Sequence, residues 1–326
     1  VTPLDVASRF PIPPPVSVEP FGTGLLHATY RVTTADGDFV LQKLDPVIAD
    51  AAVQDARVAG EFLASRGFQV PVFRLASDGA PLVRAGGDRW RLYPLIAGEA
   101  VDVVRDPGMA REAGRLVGEL HRHLRELDYA PQGSIPRFHD TAFVLDELRA
   151  VADGLPAPAR PVAGRIAGEL PALIVDERAA GEPAMVIHGD LKISNLLFVA
   201  GRAVAVIDLD TLMRHFRAID LGDAFRSWCA TGTEDDPRLD FDAGLFAAAL
   251  EGYARGWGRP VDARLCLAAT QQIAWELSAR FLIDVVRDRY FGFDTRKYAS
   301  RREHNLARGL AQFRLGEAVG RARRAA

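Results

Sequence analysis

VIHGDLKISNLLF, residues 186–198, sets a histidine, an aspartate, a lysine and an asparagine between two apolar runs. Runs of that composition are buried strands, so the polar groups stand where the chain enters and leaves a core. Nine residues beyond Asn195 a second apolar run begins and ends in acid: VAVIDLD, 204–210. Between them AGRA reads as a turn. A strand–turn–strand pair carries the 190–195 loop and Asp208 to one edge. Turn capping would account for Asp190 or Asn195 alone, and core packing for His188. The whole set, His-Gly-Asp, four residues, Asn, then a strand ending Ile-Asp-x-Asp, asks for a chemical reason.

Metal and proton chemistry supplies one. Asn195 and Asp208, with Asp210 as a further candidate, offer only oxygen, the ligand set of Mg²⁺, which takes the rest of its shell from water and substrate phosphates. Asp190 is then left free to orient a hydroxyl and accept its proton. That division of labour belongs to kinase-type phosphoryl transfer, where catalysis is mostly positioning and charge neutralisation. His188, flanked by apolar residues, reads as a brace for the loop.

The bulk properties fit a globular enzyme. The chain has 326 residues, 48% hydrophobic and 25% charged, enough for a core and two lobes. A formal charge of −3 lacks the basic excess of a nucleic-acid binder. Two cysteines, Cys229 and Cys266, leave no disulfide framework and no thiol metal cluster. No apolar run reaches membrane-spanning length, so the expectation is a cytoplasmic protein with no membrane or obligate protein partner.

Around the central stretch the chain divides. PIPPPVSVEP, with five of the 20 prolines, reads as irregular. ATYRVTT and DFVLQKL flank ADGD, a hairpin signal with Asp-Gly at its centre. A helix follows over VQDARVAGEFLASRG, with Val53, Ala56, Ala59, Phe62 and Leu63 at helical spacing and Gly67 as the stop. VPVFRLA, APLVRAG and RWRLYPLI complete a five-stranded antiparallel sheet. After residue 95 the chain is helical apart from the central island. The expected class is α+β, with a β-rich lobe over 1–95 and a helical lobe over 96–326, joined through Tyr93–Gly98.

At this point the sequence resembles the aminoglycoside phosphotransferase and choline kinase superfamily, relatives of protein kinases with a two-lobed fold. HGDLKISN with IDLDT carries the resemblance. FGTGLLHATYRV, FVLQKLD, RLYPLIAGE, DLGDAFRSW and REHNLARGLAQF are similar to its N-acetylhexosamine 1-kinase branch. The resemblance implies ATP and Mg²⁺ as cofactors, Asp190 as catalytic base, and Asn195 and Asp208 as metal ligands. It implies a phosphate-binding Lys43 paired with Glu61 on the following helix, with Gln54 and Asp55 as other registers. Gly22 and Gly24 would lie in the loop over the phosphates, and Tyr93, Pro94 and Leu95 in a hinge offering backbone groups to adenine. Asp220 would hydrogen-bond the catalytic-loop backbone, and Asp223 would be structural.

The acceptor implied is a sugar or amino sugar, phosphorylated at its anomeric hydroxyl. His27 stands where the branch commonly has Asn, and with His304, Asn305 and Arg308 it is a candidate sugar contact. Choline, ethanolamine, homoserine and aminoglycosides are the alternative acceptors. A nucleotide-binding pseudokinase is the alternative of another class, and the joint presence of Asp190, Asn195, Asp208 and Lys43 argues against it.

Overall fold

The computed structural model describes residues 1–22, 27–176 and 183–325. Helix α1 (Pro3–Ala7), capped by Thr2, lays Val6 and Ala7 against the outer face of a sheet. That sheet holds β1 (Ser17–Pro20), β2 (Ala28–Thr34), β3 (Gly37–Lys43), β4 (Val83–Ala85) and β5 (Asp88–Pro94), in the order β1-β2-β3-β5-β4, antiparallel throughout. Helix α2 (Asp50–Ser65) follows β3 and buries Val53, Ala56, Ala59 and Leu63. The fold is α+β and protein-kinase-like, with an antiparallel N-terminal sheet and a helical C-terminal part.

Two strands differ from expectation. VPVFRLA is not one: only Arg74 bridges to Leu92, because Pro71 lacks the N–H a ladder needs, while Val70 and Phe73 turn into the core. In its place PIPPPVSVEP supplies β1, whose Val18 pairs with Val32. Its proline closes an edge strand, where a missing donor costs nothing. The β2–β3 turn also moves by one residue, to Ala35-Asp36, since Thr34 pairs with Gly37.

Strand alternation sorts the sheet's two faces. Val32, Phe39, Leu41, Trp90 and Leu92 pack with α1 on the outer face. Val40, Gln42, Arg91 and Tyr93 therefore point the other way. Lys43, two residues from Leu41, shares the outer parity.

The C-terminal part comprises β6 (Glu99–Ala100), α3 (Pro107–Leu124), α4 (Thr141–Val151), α5 (Arg160–Glu169), β7 (Met185–Ile187), β8 (Leu196–Val199), β9 (Arg202–Val206), β10 (Met213–His215), α6 (Arg217–Trp228), α7 (Ala243–Trp257), α8 (Ala263–Arg287) and α9 (Arg301–Ala325). Strand β8 pairs with β6 and β9, and β7 with β10. Helices α3 and α7 meet backbone to backbone: a Cβ at Gly114 would fall 2.0 Å from the Ala249 oxygen, and one at Gly252 1.9 Å from that of Arg111. That approach brings His121 of α3 to Tyr253 of α7. Trp228, Trp257 and Trp275 are core residues. Among the described residues no helix is long and apolar enough to cross a membrane.

Candidate active site

The 188–195 loop is held from three sides. Gly189 sits at φ +87°, and a Cβ there would lie 2.5 Å from the Thr211 oxygen, so only glycine fits between His188 and Asp190. The N–H groups of His188 and Gly189 donate to the two oxygens of Asp220 at 2.8 and 2.7 Å. Asp220, fully buried, is in turn held by His121 Nε2 at 2.9 Å, and His121 Nδ1 meets the Tyr253 hydroxyl at 2.8 Å. His188 is the expected brace: Nε2 donates to the Ile207 carbonyl at 3.0 Å, and Nδ1 accepts from Asp190 N–H at 3.2 Å. On the far side His139 donates through Nε2 to the Gly189 carbonyl at 2.8 Å and through Nδ1 to Glu276 at 3.1 Å. Acceptors at both nitrogens favour the imidazolium form. Burial opposes that charge, but the Glu276 carboxylate prevails and raises the His139 pKa.

The loop delivers Asp190, Lys192 and Asn195 to one edge. Lys192 Nζ donates to Asp190 Oδ2 at 2.5 Å, and Asn195 Nδ2 reaches the Asp190 backbone oxygen at 2.8 Å. Burial alone would raise the Asp190 carboxyl, yet Lys192 beside it outweighs that and holds it at about 2. Asp190 is therefore a carboxylate at any working pH. Ile207 N–H donates to the Asn195 carbonyl at 2.9 Å, which locks Asn195 to the end of β9 and so beside Asp208. Asp208 adopts left-handed backbone, φ 65°, a conformation that Asp tolerates more readily than most residues.

These donors suit a hard cation. His27, Asp208 and Asp210 bring ligand atoms within 4.8 Å of one another. Both oxygens of Asp210 are already taken, by Arg91 at 2.5 and 2.7 Å and by His27 Nε2 at 3.1 Å. Among the described residues Asp208 has no hydrogen-bond or ion-pair partner; burial, then the charge of Asp210, raises its pKa. Asp208 and the Asn195 amide oxygen are thus the atoms left for an oxygen-seeking ion.

Other predicted positions lie elsewhere. Lys43 stands on the outer parity and donates to Asp88 Oδ2 at 3.3 Å, with 41% of its side chain exposed. Glu61 pairs with Arg57 at 2.6 Å on the surface of α2. The structure does not bring the two together. The buried acid of α2 is Asp55, which accepts from Gln132 N–H at 2.9 Å, Gly133 N–H at 2.6 Å and the Tyr129 hydroxyl at 2.7 Å, and so fastens α2 to the helical part. In the hinge, Leu95 N–H is engaged by the Asp38 carbonyl at 2.9 Å and Pro94 has no N–H, so these two leave carbonyls rather than donors. Tyr93 shares the inner parity and lies half-buried against Phe73. Gly22 is at φ +79° with open space around it; Gly24 lies outside the described residues.

The expected sugar contacts divide. His27 is engaged at both nitrogens, by Asp45 N–H at 3.2 Å and by Asp210, and it braces the carboxylate instead of facing an acceptor. Asn305 is fully buried and holds Asp284 at 2.9 Å and Arg308, which removes it from any ligand. His304 stacks on Tyr298 with centroids 4.2 Å apart and lies 3.6 Å from Asp235. Arg308 sits over the rings of Phe281 and Phe291, at 4.4 and 5.4 Å. The acidic turn after α6 folds back: Glu234 reaches Arg226 at 3.3 Å, and Asp235 accepts from the Tyr298 hydroxyl at 2.8 Å. These contacts link His304 to α6.

A family model, the phosphotransferase enzyme family, matches residues 17–267. The chain belongs to that family. A homoserine kinase of Pseudomonas aeruginosa strain UCBPP-PA14 is 28% identical over 225 residues, covering 66% of each chain, so the chain spans just under two thirds of that relative. An aminoglycoside phosphotransferase from Alicyclobacillus acidocaldarius superposes with a TM-score of 0.66 at 15% identity, over 100% of this chain and 97% of the other. The amicoumacin kinase hAmiN, solved with AMP-PNP, Ca²⁺ and Ami, does so with a TM-score of 0.64 at 15% identity, over 95% and 92%.

Two residues outside the expected set stand in the candidate site. Lys192 is two residues from Asp190 inside the quoted motif, and its spacing was the available signal. Arg91 had a fainter one. Counting parity from Leu41 puts Gln42 on the inner face; Gln42 pairs with Arg91, whose Nε donates to the Gln42 amide oxygen at 2.9 Å. Of the cations on the inner parity of this sheet Arg91 is the buried one, and Lys43 is not on that parity.

Proposed function

We propose that this chain is an ATP-dependent kinase that phosphorylates a sugar hydroxyl, with the anomeric hydroxyl of an N-acetylhexosamine first in line. Membership of the phosphotransferase enzyme family supports the coarser part of this reading. The observation that supports the phosphoryl-transfer chemistry is the meeting of Asp190, Lys192, Asn195 and Asp208 at one edge, below an inner sheet face that carries Arg91. Asp190, ionised and steadied by Lys192, would orient the acceptor hydroxyl and take its proton. Mg²⁺ held by Asn195 and Asp208 would neutralise charge on the transferring phosphoryl group. Lys192, its side chain 42% exposed, is free to follow the proton acceptor or the phosphate.

The family resemblance carries the choice of sugar. An anomeric hydroxyl is also more acidic than other sugar hydroxyls, which suits a base as weak as Asp190. Homoserine is the second reading, favoured by the 28% identical kinase from Pseudomonas aeruginosa. A screen with ATP and Mg²⁺ over N-acetylhexosamines, hexoses, homoserine, choline and aminoglycosides, with product regiochemistry by ³¹P NMR, separates them. Phosphate on an anomeric oxygen supports the sugar reading; phosphate on homoserine or choline sinks it, and phosphate on a primary sugar hydroxyl sinks its anomeric part.

The metal assignment has its own test. Asp208→Ala should weaken Mg·ATP binding by about tenfold or more and leave metal-free ATP binding little changed, because it deletes a carboxylate that has no direct partner among the described residues. Unchanged Mg·ATP affinity by calorimetry would return Asp208 to a structural role.

A further inference from the structure

Asp223 is a buried carboxylate with one oxygen unaccounted for. It is 4% exposed. Arg226 places both Nε, at 2.9 Å, and Nη2, at 2.8 Å, on the same oxygen, Oδ1. A guanidinium more often forks across both oxygens, as Arg91 does on Asp210. Here the third nitrogen, Nη1, goes to Glu234 at 3.3 Å. Among the described residues Asp223 Oδ2, buried, has no hydrogen-bond partner. A buried carboxylate oxygen without a donor costs more than a satisfied one, so it calls for a donor that is present when the protein works.

The position of Asp223 says where that donor comes from. Helix α6 runs along the catalytic loop. Asp220 receives the N–H groups of His188 and Gly189, Ser227 Oγ receives Ile193 N–H at 2.9 Å, and Trp228 Nε1 donates to the Leu191 carbonyl at 2.8 Å. Asp223 lies one turn after Asp220 and one turn before Ser227, on the same face, which sets it beside Asp190. The two carboxylates feel each other: after burial and the opposing pull of Arg226, the charge of Asp190 pushes Asp223 upward. Two acids pushed apart in this way are placed for different tasks.

We propose that Asp223 binds the acceptor, its Oδ2 taking a hydrogen bond from a hydroxyl neighbouring the one that Asp190 activates. This rests on the sugar-kinase reading for the acceptor's class. Asp223 is thereby a specificity residue rather than the structural acid its sequence context suggests. The Arg226 bonds occupy Oδ1 and leave Oδ2 for the acceptor, and Glu234 holds Arg226 by its third nitrogen. A neutral polyol suits this oxygen because each of its hydroxyls can donate; an ammonium would suit it as well, and the two are separable.

The experiment measures steady-state kinetics of wild type, Asp223→Ala and Asp223→Asn with the acceptor found by the screen. Asp223→Ala should raise the acceptor KM about ten- to hundredfold, the size of one hydrogen bond to a charged group, with the ATP KM within about twofold. In Asp223→Asn the amide oxygen stays with Arg226 and an N–H donor replaces Oδ2. A sugar hydroxyl can accept from that donor and recover part of the loss, whereas the ammonium of homoserine cannot. Monodeoxy analogues complete the cycle: one deoxy position should cost wild type as much as the Ala substitution does, and cost the Ala variant nothing further. An unchanged acceptor KM in both variants, or additive losses for every deoxy sugar, overturns the proposal. If the Ala variant fails to fold, the Asn variant and the deoxy series on wild type decide. Should wild type prove to phosphorylate homoserine, the sugar reading falls while Asp223 is still tested: both variants must then raise the homoserine KM, with no recovery in Asn.

Discussion

Asp190→Asn should lower kcat by about 10²–10⁴-fold while leaving the fold and nucleotide binding in place. The substitution keeps the shape of the side chain and its contact with Asn195, and it removes the only feature that a proton acceptor needs. Lys192 loses its ion pair, but its half-exposed side chain can turn to water, so no charge is stranded in the core. The loop itself is held by Asp220, His188 and His139 through backbone atoms, none of which the change touches. Thermal melting and ATP calorimetry close to wild type, with turnover nearly gone, is the expected pattern. The pH profile gives a second check. Because Lys192 holds the carboxyl at about 2, Asp190 is ionised throughout the range from pH 5 to 8, and no acid limb of activity in that range belongs to it. A variant with near-wild-type kcat would remove Asp190 from the base role.

How much of this was legible in the sequence depends on how far apart the interacting residues lie. The 188–195 loop is local: eight consecutive residues contain Asp190, Lys192, Asn195 and His188, and the partner strand follows directly. Spacing alone therefore assembles the loop and the edge that carries Asn195 and Asp208. The Lys43–Glu61 pairing was a statement about parity and helix register, and neither can be read without a fixed neighbour. Leu41 supplies that neighbour for Lys43 and turns it outward. For α2 the fixed point is Gly133, where a Cβ would fall 1.8 Å from Ala52 N, a contact made across the two halves of the molecule. His27 and Asn305 failed as sugar contacts for a related reason. A polar side chain in a promising segment has no visible partner until Asp210, 183 positions away from His27, arrives beside it. The misplaced first strand is different in kind. Five prolines outvoted Val18, although a proline at the end of an edge strand breaks no ladder.

Arg91→Met should destabilise the protein by about 3–5 kcal/mol near neutral pH, because it leaves the Asp210 charge buried with only His27 beside it. Both partners are buried, with 3% and 2% of their side chains exposed, so solvent does not screen the pair. The loss should also depend on pH, and its sign follows from the carboxyl. In wild type, burial alone would raise Asp210, but Arg91 and His27 hold it far below the usual carboxylate range. Its contribution to stability is thus fully present above the unfolded pKa of about 3.9 and is lost only as pH falls through the lower folded value. Without Arg91 the burial effect dominates, the folded pKa of Asp210 rises, and the carboxyl takes up a proton as the solution is acidified. The gap between wild type and Arg91→Met should therefore be widest near pH 7 and narrow toward pH 4, as followed by urea unfolding. Arg91→Lys is the companion variant: it keeps a cation but not the two-pronged contact, and should fall between. A gap that does not change from pH 7 to pH 4 would mean that the ionised Asp210 carboxylate does not depend on Arg91. The link between the N-terminal sheet and the Asp208–Asp210 turn would then have to be carried by packing.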